Sequence, residues 1–185
     1  MLELGRPRPD AGMPGNCGTE QSGLTPEART GLEASLREAA KGMPHGSKFS
    51  FAFEAGHLRI DFLRVPRIAQ PGTGTAFLCQ VFALADAAGV GTLLLAHPCD
   101  EPKEAEVFHL VRWCARFGAE FRRVSVGGKC VLARPPHVPP DGPDAIMARY
   151  SAAKVRSDLD ERTFLRQWDV LSAAAARAGG NVRRG

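Results

Sequence analysis

Phe49, Phe51 and Phe53 alternate with Ser50 and Ala52. After a short turn at Ala55 and Gly56 the alternation resumes at Leu58, Ile60 and Phe62. A period of two marks a strand with one apolar face, so residues 49–53 and 58–65 read as two successive strands. Before them, Leu32, Leu36, Ala39 and Ala40 recur at helical spacing. Thr25 followed by Pro26 supplies an N-cap and a first-turn residue for that helix, and Gly42 its stop. After the strands, residues 70–74 (Gln-Pro-Gly-Thr-Gly) form a Gly-rich loop. The loop opens a helix carrying Phe77, Leu78, Val81, Phe82 and Ala85, stopped by Gly89. Residues 92–96 are a continuous apolar run, as in a strand buried on both faces. A third helix, from about Pro102 to Gly118, carries Val107, Leu110, Val111, Cys114 and Phe117. Residues 119–126 and 129–134 read as strands joined by Gly127 and Gly128, a hairpin signal. The order α-β-β-α-β-α-β-β predicts an α/β fold, a mixed central sheet with helices on both faces.

The flanks lack this regularity. Residues 1–23 are Gly, Pro and polar residues without periodicity, so a disordered lead-in is expected there. Residues 24–134 make the patterned domain. Residues 135–142 read as a Pro-rich linker, because consecutive prolines end a helix or a ladder. A helical tail is expected over 143–185, with Leu159, Phe164, Leu165, Trp168 and Leu171 forming one apolar stripe. That stripe suits packing on the domain or on a second copy of the chain, which would give a homodimer.

Charge changes the picture only at the end of the chain. Residues 1–148 hold 16 basic and 16 acidic residues, while 149–185 hold 8 and 4, so the net +4 lies wholly in the tail. The tail lacks the aromatic interleaving that single-strand binding uses, so nucleic acid is not the expected partner. An Arg-rich, Ala-rich composition is what a GC-rich bacterial or phage genome produces. Hydrophobic residues at 44% exclude wholesale disorder. No apolar run approaches the roughly 18 residues that span a bilayer, so no membrane association is expected. The start of the chain has no apolar signal core. The five Cys include no C-x-x-C pair, so neither a disulfide framework nor a metal site is expected, and the setting reads as cytoplasmic.

The loop at 70–75 carries the chemistry. A strand that runs into a Gly-rich turn and then a helix exposes successive backbone N–H groups, beside about half a positive charge from the helix N-terminus. Phosphate or pyrophosphate is the natural ligand. The loop is not a Walker A loop, since no Lys follows Gly74, and not a G-x-G-x-x-G loop, since position 77 is Phe.

Val65-Pro66, then Gly72-Thr73-Gly74-Thr75, Leu84 to Asp86, Gly89, the run 93–95 and finally Arg116-Phe117-Gly118 together resemble the GNAT superfamily of N-acetyltransferases. The resemblance spans about residues 25–134 and implies a GNAT-like fold. In it, a gap between the strands 58–65 and 92–97 holds acetyl-CoA or another acyl-CoA. It implies that Gln70, Pro71, Gly72, Thr73, Gly74 and Thr75 cradle the pyrophosphate, and that a backbone N–H near Val65 holds the thioester carbonyl. Ala69 stands where the family has Gln or Arg, with Gln70 one place late. Cys114 stands where it has the Tyr that protonates the leaving thiolate. Val107 replaces a helix-opening Asn, and Ala119 a Phe.

Acyl transfer to an amine also needs a base. His97, at the end of the fifth strand of the family fold, has an ordinary pKa suited to that task, and Asp61 is the other candidate. Cys114 is the candidate acid, although its place in the apolar stripe favours a buried core thiol. The expected activity is acyl transfer from acyl-CoA to a primary amine by direct attack in a ternary complex. The alternative is a binding or regulatory module of the same fold that has lost catalysis.

Overall fold

The computed structural model describes residues 24–66, 68–96, 104–125 and 129–153, together with Val170, Ala173 and Arg177. Helix α1 (Pro26–Lys41) starts where the sequence placed it: the Thr25 side chain accepts the Ala28 N–H at 3.2 Å, and Gly42 is the C-cap. Strands β1 (Lys48–Glu54) and β2 (His57–Arg64) form an antiparallel hairpin. Helix α2 (Thr73–Ala87), strand β3 (Thr92–Ala96), helix α3 (Glu104–Ala115), strands β4 (Glu120–Val124) and β5 (Cys130–Arg134), and helix α4 (Pro143–Ala152) follow.

The five strands lie in the order β1-β2-β3-β5-β4. Strands β2 and β3 are parallel and the other neighbours antiparallel, so the sheet is mixed and the protein is α/β. Cross-strand partners share a face. One face therefore carries Phe51, Phe53, Leu58, Ile60, Thr92, Leu94, Leu132 and Arg134. All four helices gather on that side. Arg29 of α1 lies over the Phe53 ring, α2 holds Arg134 through Asp86, Phe117 at the end of α3 meets Phe82 of α2, and α4 packs on α2. Helices on both faces were expected; among the described residues they share one.

The opposite face carries Ala52, Arg59, Leu93, Leu95 and Ala133, all half-buried. The run 92–96 consequently alternates between buried and half-buried positions, where burial on both faces was expected. An apolar run on a central strand does not reveal whether a second layer covers it.

Two polar elements tie the layers together. Arg134 is 4% exposed and Asp86 3%. The guanidinium grips the carboxylate with both terminal nitrogens, at 2.7 and 2.8 Å, and Arg134 Nε donates to the Phe117 carbonyl at 3.1 Å. Asp86 also accepts the His137 N–H at 2.9 Å. One carboxylate thus joins α2, β5 and residues 135–142, a segment without helix or strand. Beyond it, Ile146 of α4 enters the same apolar core as Leu36 and Phe82. The expected lead-in 1–23 and the whole of the expected apolar stripe of the tail lie outside the described residues.

Candidate functional site

The ladder between β2 and β3 has three pairs, Leu58↔Thr92, Arg59↔Leu93 and Ile60↔Leu94. It then stops, although β2 continues to Arg64 and β3 to Ala96. A cause is visible on the other edge of β2. Ser50 pairs with Phe62 but Phe51 with Ile60, so Asp61 is an extra residue, a β-bulge. A bulge bends its strand and raises the local twist, which carries β2 away from β3 one residue after their last pair. It also inverts the alternation. Leu63, opposite Phe49, packs against the core, while Phe62 moves to the other face; the sequence pattern had put Phe62 with Leu58 and Ile60.

A small cleft of about 70 Å³ opens where the strands part. Asp61, Leu63, Leu95 and Ala96 line it from the sheet, and Leu78, Trp113 and Cys114 from the helices. Main chain of residues 61–63 on the β3 side has no ladder partner there.

The start of α2 lies beside the cleft. Gly72 is its N-cap, with φ +88°, in the left-handed region where glycine is favoured. A Cβ there would meet nothing within 4 Å, so the requirement is conformational and not steric. At Gly74 a Cβ would touch Val65 Cγ2 at 3.5 Å, an ordinary contact, which places Val65 over the first turn. Of the first-turn amides, Thr73 N–H donates to the Gln70 carbonyl at 3.2 Å, and the first helical bond runs from Ala76 to Gly72. No side chain caps the turn. Among the described residues Gly74 and Thr75 N–H are therefore the two donors left over, at the positive end of a 15-residue helix. Gln70, Pro71 and Gly72 form an exposed approach to them.

The two threonines differ. Thr73 Oγ1 spends its proton on the Gln70 carbonyl at 2.6 Å, so its hydroxyl is not a free donor for the cradle that the resemblance implies. Thr75 Oγ1 accepts from Trp113 Nε1 at 3.2 Å and keeps its own proton to donate. Trp113 therefore links α3, the cleft and the loop. Nothing in the sequence singled it out, because its partner is 38 residues away.

The expected catalytic residues are placed as follows. Asp61 lines the cleft, but its carboxylate is held by Arg59 Nε at 2.7 Å, and Arg59 also pairs with Glu54. Hydrogen bonding to Asp61, then to Glu54, raises the Arg59 pKa further above its ordinary value. Cys114 lines the cleft from α3 and is 4% exposed; burial, with a smaller contribution from the Cys130 thiol, pushes its pKa up to about 12. That is the chemistry of a core thiol, which keeps its proton and is a reluctant acid. His97 lies outside the described residues. Tyr150, the one tyrosine of the chain, is stacked on Phe117 at 4.5 Å and does not line the cleft.

Among the described residues no group of three or more His, Cys, Asp or Glu is arranged to hold a metal ion, and no helix is long and apolar enough to cross a membrane. Comparison with protein-family models, with curated proteins and with solved structures finds no match for this chain.

Proposed function

We propose that this protein binds an acyl-CoA across the cleft between β2 and β3 and transfers its acyl group to a primary amine, as a divergent member of the GNAT superfamily. One observation carries the reading. Two parallel strands part at a bulge, and the uncapped N-terminus of the helix that connects them faces outward beside the gap. The strand order β2-β3-β5-β4 and the resemblance over residues 25–134 support the same reading.

Each part has a physical role. Gly74 and Thr75 N–H, with the Thr75 hydroxyl, donate to the pyrophosphate, whose charge the helix end stabilises. A cleft of about 70 Å³ admits a small acyl thioester, while the nucleotide stays outside on the exposed loop. The amine nitrogen attacks the thioester carbon and the carbonyl electron pair moves onto oxygen. A backbone N–H between the bulge at Asp61 and Val65 stabilises that oxyanion. The C=O then reforms as the C–S bond breaks. Sulfur leaves as a thiolate and takes a proton, while the nitrogen gives one up, with His97 the candidate base. A CoA thiol near pKa 8.5 is a tolerable leaving group even without a strong acid beside it.

Two observations favour a second reading, a module that binds acyl-CoA without turnover: Arg59 occupies the Asp61 carboxylate, and the Cys114 proton is tightly held. Thermal unfolding with acetyl-CoA tests binding. At about 100 times Kd the ligand adds roughly 2.7 kcal/mol, or about 5–10 °C for a chain of this size. Gly74→Asp puts a carboxylate against the phosphates and should lose the shift, whereas Gly74→Ala should keep it. An acidic residue in the first turn favours the helix, so the Asp variant should stay folded. CoA release in the presence of a panel of amines then separates the two readings. A wild-type chain with no thermal shift refutes both.

A further inference from the structure

A second and larger cavity, of about 590 Å³, lies on the β5 and β4 side of the sheet, next to the cleft but lined by different residues. In the register of β3 with β5, Leu132 and Arg134 sit beside Leu94 and Thr92; Leu94 also lines the cleft, and α3 gives Val111, Arg112 and Ala115 to the cavity but Leu110, Trp113 and Cys114 to the cleft. Val111, Phe117, Ala119, Phe121, Leu132 and Ile146 give it apolar walls drawn from α3, the start of β4, β5 and α4. The volume is within the range of small-molecule pockets, roughly 300–1,000 Å³.

The charges around it are unbalanced. Four arginines line the cavity, Arg112, Arg116, Arg134 and Arg149, against one acid, Glu120. Asp86 neutralises Arg134 and Asp141 pairs with Arg149, while Glu120 is engaged by Arg122. Among the described residues Arg112 and Arg116 have no carboxylate partner. Arg112 lies over the Phe108 ring at 5.3 Å. Arg116 donates to the Tyr150 hydroxyl at 3.1 Å and to the Tyr150 carbonyl at 3.0 Å, which fixes the guanidinium over the Tyr150 ring. Its Nε is buried with no hydrogen-bond partner among the described residues. Arginine presents a rigid fork matched to carboxylates and similar anions. An apolar chamber with two positioned guanidinium groups and a single carboxylate, Glu120, already engaged by Arg122, is complementary to a ligand with an apolar body and one anionic end.

We propose that this cavity is a binding site for a small amphipathic organic anion, an aromatic or aliphatic carboxylate or sulfonate, with its apolar part against Phe117, Leu132 and Ile146 and its anionic end on Arg112 and Arg116. The site is separate from the cleft and does not depend on the acyltransferase reading.

The test uses the full chain and a matched pair of fluorescent probes, anilinonaphthalene sulfonate and the uncharged phenylnaphthylamine. The sulfonate is expected to bind the folded chain, to raise its urea-unfolding midpoint at constant m-value, and to bind at least tenfold more tightly than the neutral probe. Arg112→Gln and Arg116→Gln should each weaken the sulfonate about tenfold and leave the neutral probe unchanged. Ala115→Trp, which fills the chamber, should abolish both. Should Arg116→Gln fail to fold, Arg112→Gln carries the test, since among the described residues its guanidinium meets the Phe108 ring and no carboxylate. Saturating acetyl-CoA should leave the bound sulfonate in place. Absence of binding to the full chain, equal affinity for the two probes, no effect of Arg112→Gln, or displacement by acetyl-CoA each overturns the proposal.

Discussion

Asp86 and Arg134 offer the sharpest quantitative test of how this fold is held. Both are almost completely buried, and the guanidinium spends both terminal nitrogens on the carboxylate. Removing one partner leaves the other buried and uncompensated, which costs about 3–5 kcal/mol. Asp86→Leu also strands the His137 N–H, for about 1 kcal/mol more. Arg134→Leu strands the Phe117 carbonyl as well as the carboxylate. Each single variant should therefore lose about 4–6 kcal/mol, a large part of the 5–15 kcal/mol typical of a domain. The double variant, Asp86→Leu with Arg134→Leu, removes both charges. Apolar replacement of a buried pair is often nearly neutral, so it should be more stable than either single variant. Urea unfolding monitored by circular dichroism at constant m-value measures all four corners of the cycle. Costs below about 1 kcal/mol for the single variants, or additivity within about 0.5 kcal/mol, would refute the reasoning.

Three further outcomes follow from the same geometry. Gly72→Ala places a side chain at φ +88° and should cost about 1–2 kcal/mol, whereas Gly74→Ala meets only ordinary contact and should be neutral or slightly stabilising in thermal melts. Burial raises the pKa values of Cys114 and Cys130 to about 12 and about 11, from an ordinary 9.0. Above pH 9 the unfolded chain gives up these protons while the folded chain keeps them, so this contribution to stability is complete below pH 9 and is lost as pH rises towards 12. Urea midpoints between pH 8 and 11 should fall on the alkaline side, and both thiols should resist alkylation at pH 8 in the folded chain. Acetyl-CoA should change tryptophan emission through Trp113, whose indole holds Thr75 beside the proposed phosphate site; Trp113→Phe should remove that change and weaken binding.

Local signals made the elements around the candidate site legible. Thr25 with Pro26 fixed the start of α1, the alternation of Phe49, Phe51 and Phe53 gave β1, and a Gly-rich turn marked the N-terminus of α2. The bulge at Asp61 left no mark, because a strand with one extra residue reads as an ordinary alternation until its partner is known. Trp113, which joins the cleft to the loop, was hidden for the same reason. So was the role of Asp86, which reads as a plain helix-end residue until Arg134, 48 positions later, folds back onto it.

The sequence by itself determined the order and kind of the elements and the Gly-rich turn that opens α2, since both depend on near neighbours: backbone dihedral preferences and side-chain period. Only the tertiary structure decided that the four described helices share one face, that β2 leaves β3 after Ile60, and that an arginine-lined chamber forms between α3, β5 and α4. Those features depend on which distant segments meet, and packing energy between them is a property of the assembled core that no window along the chain contains.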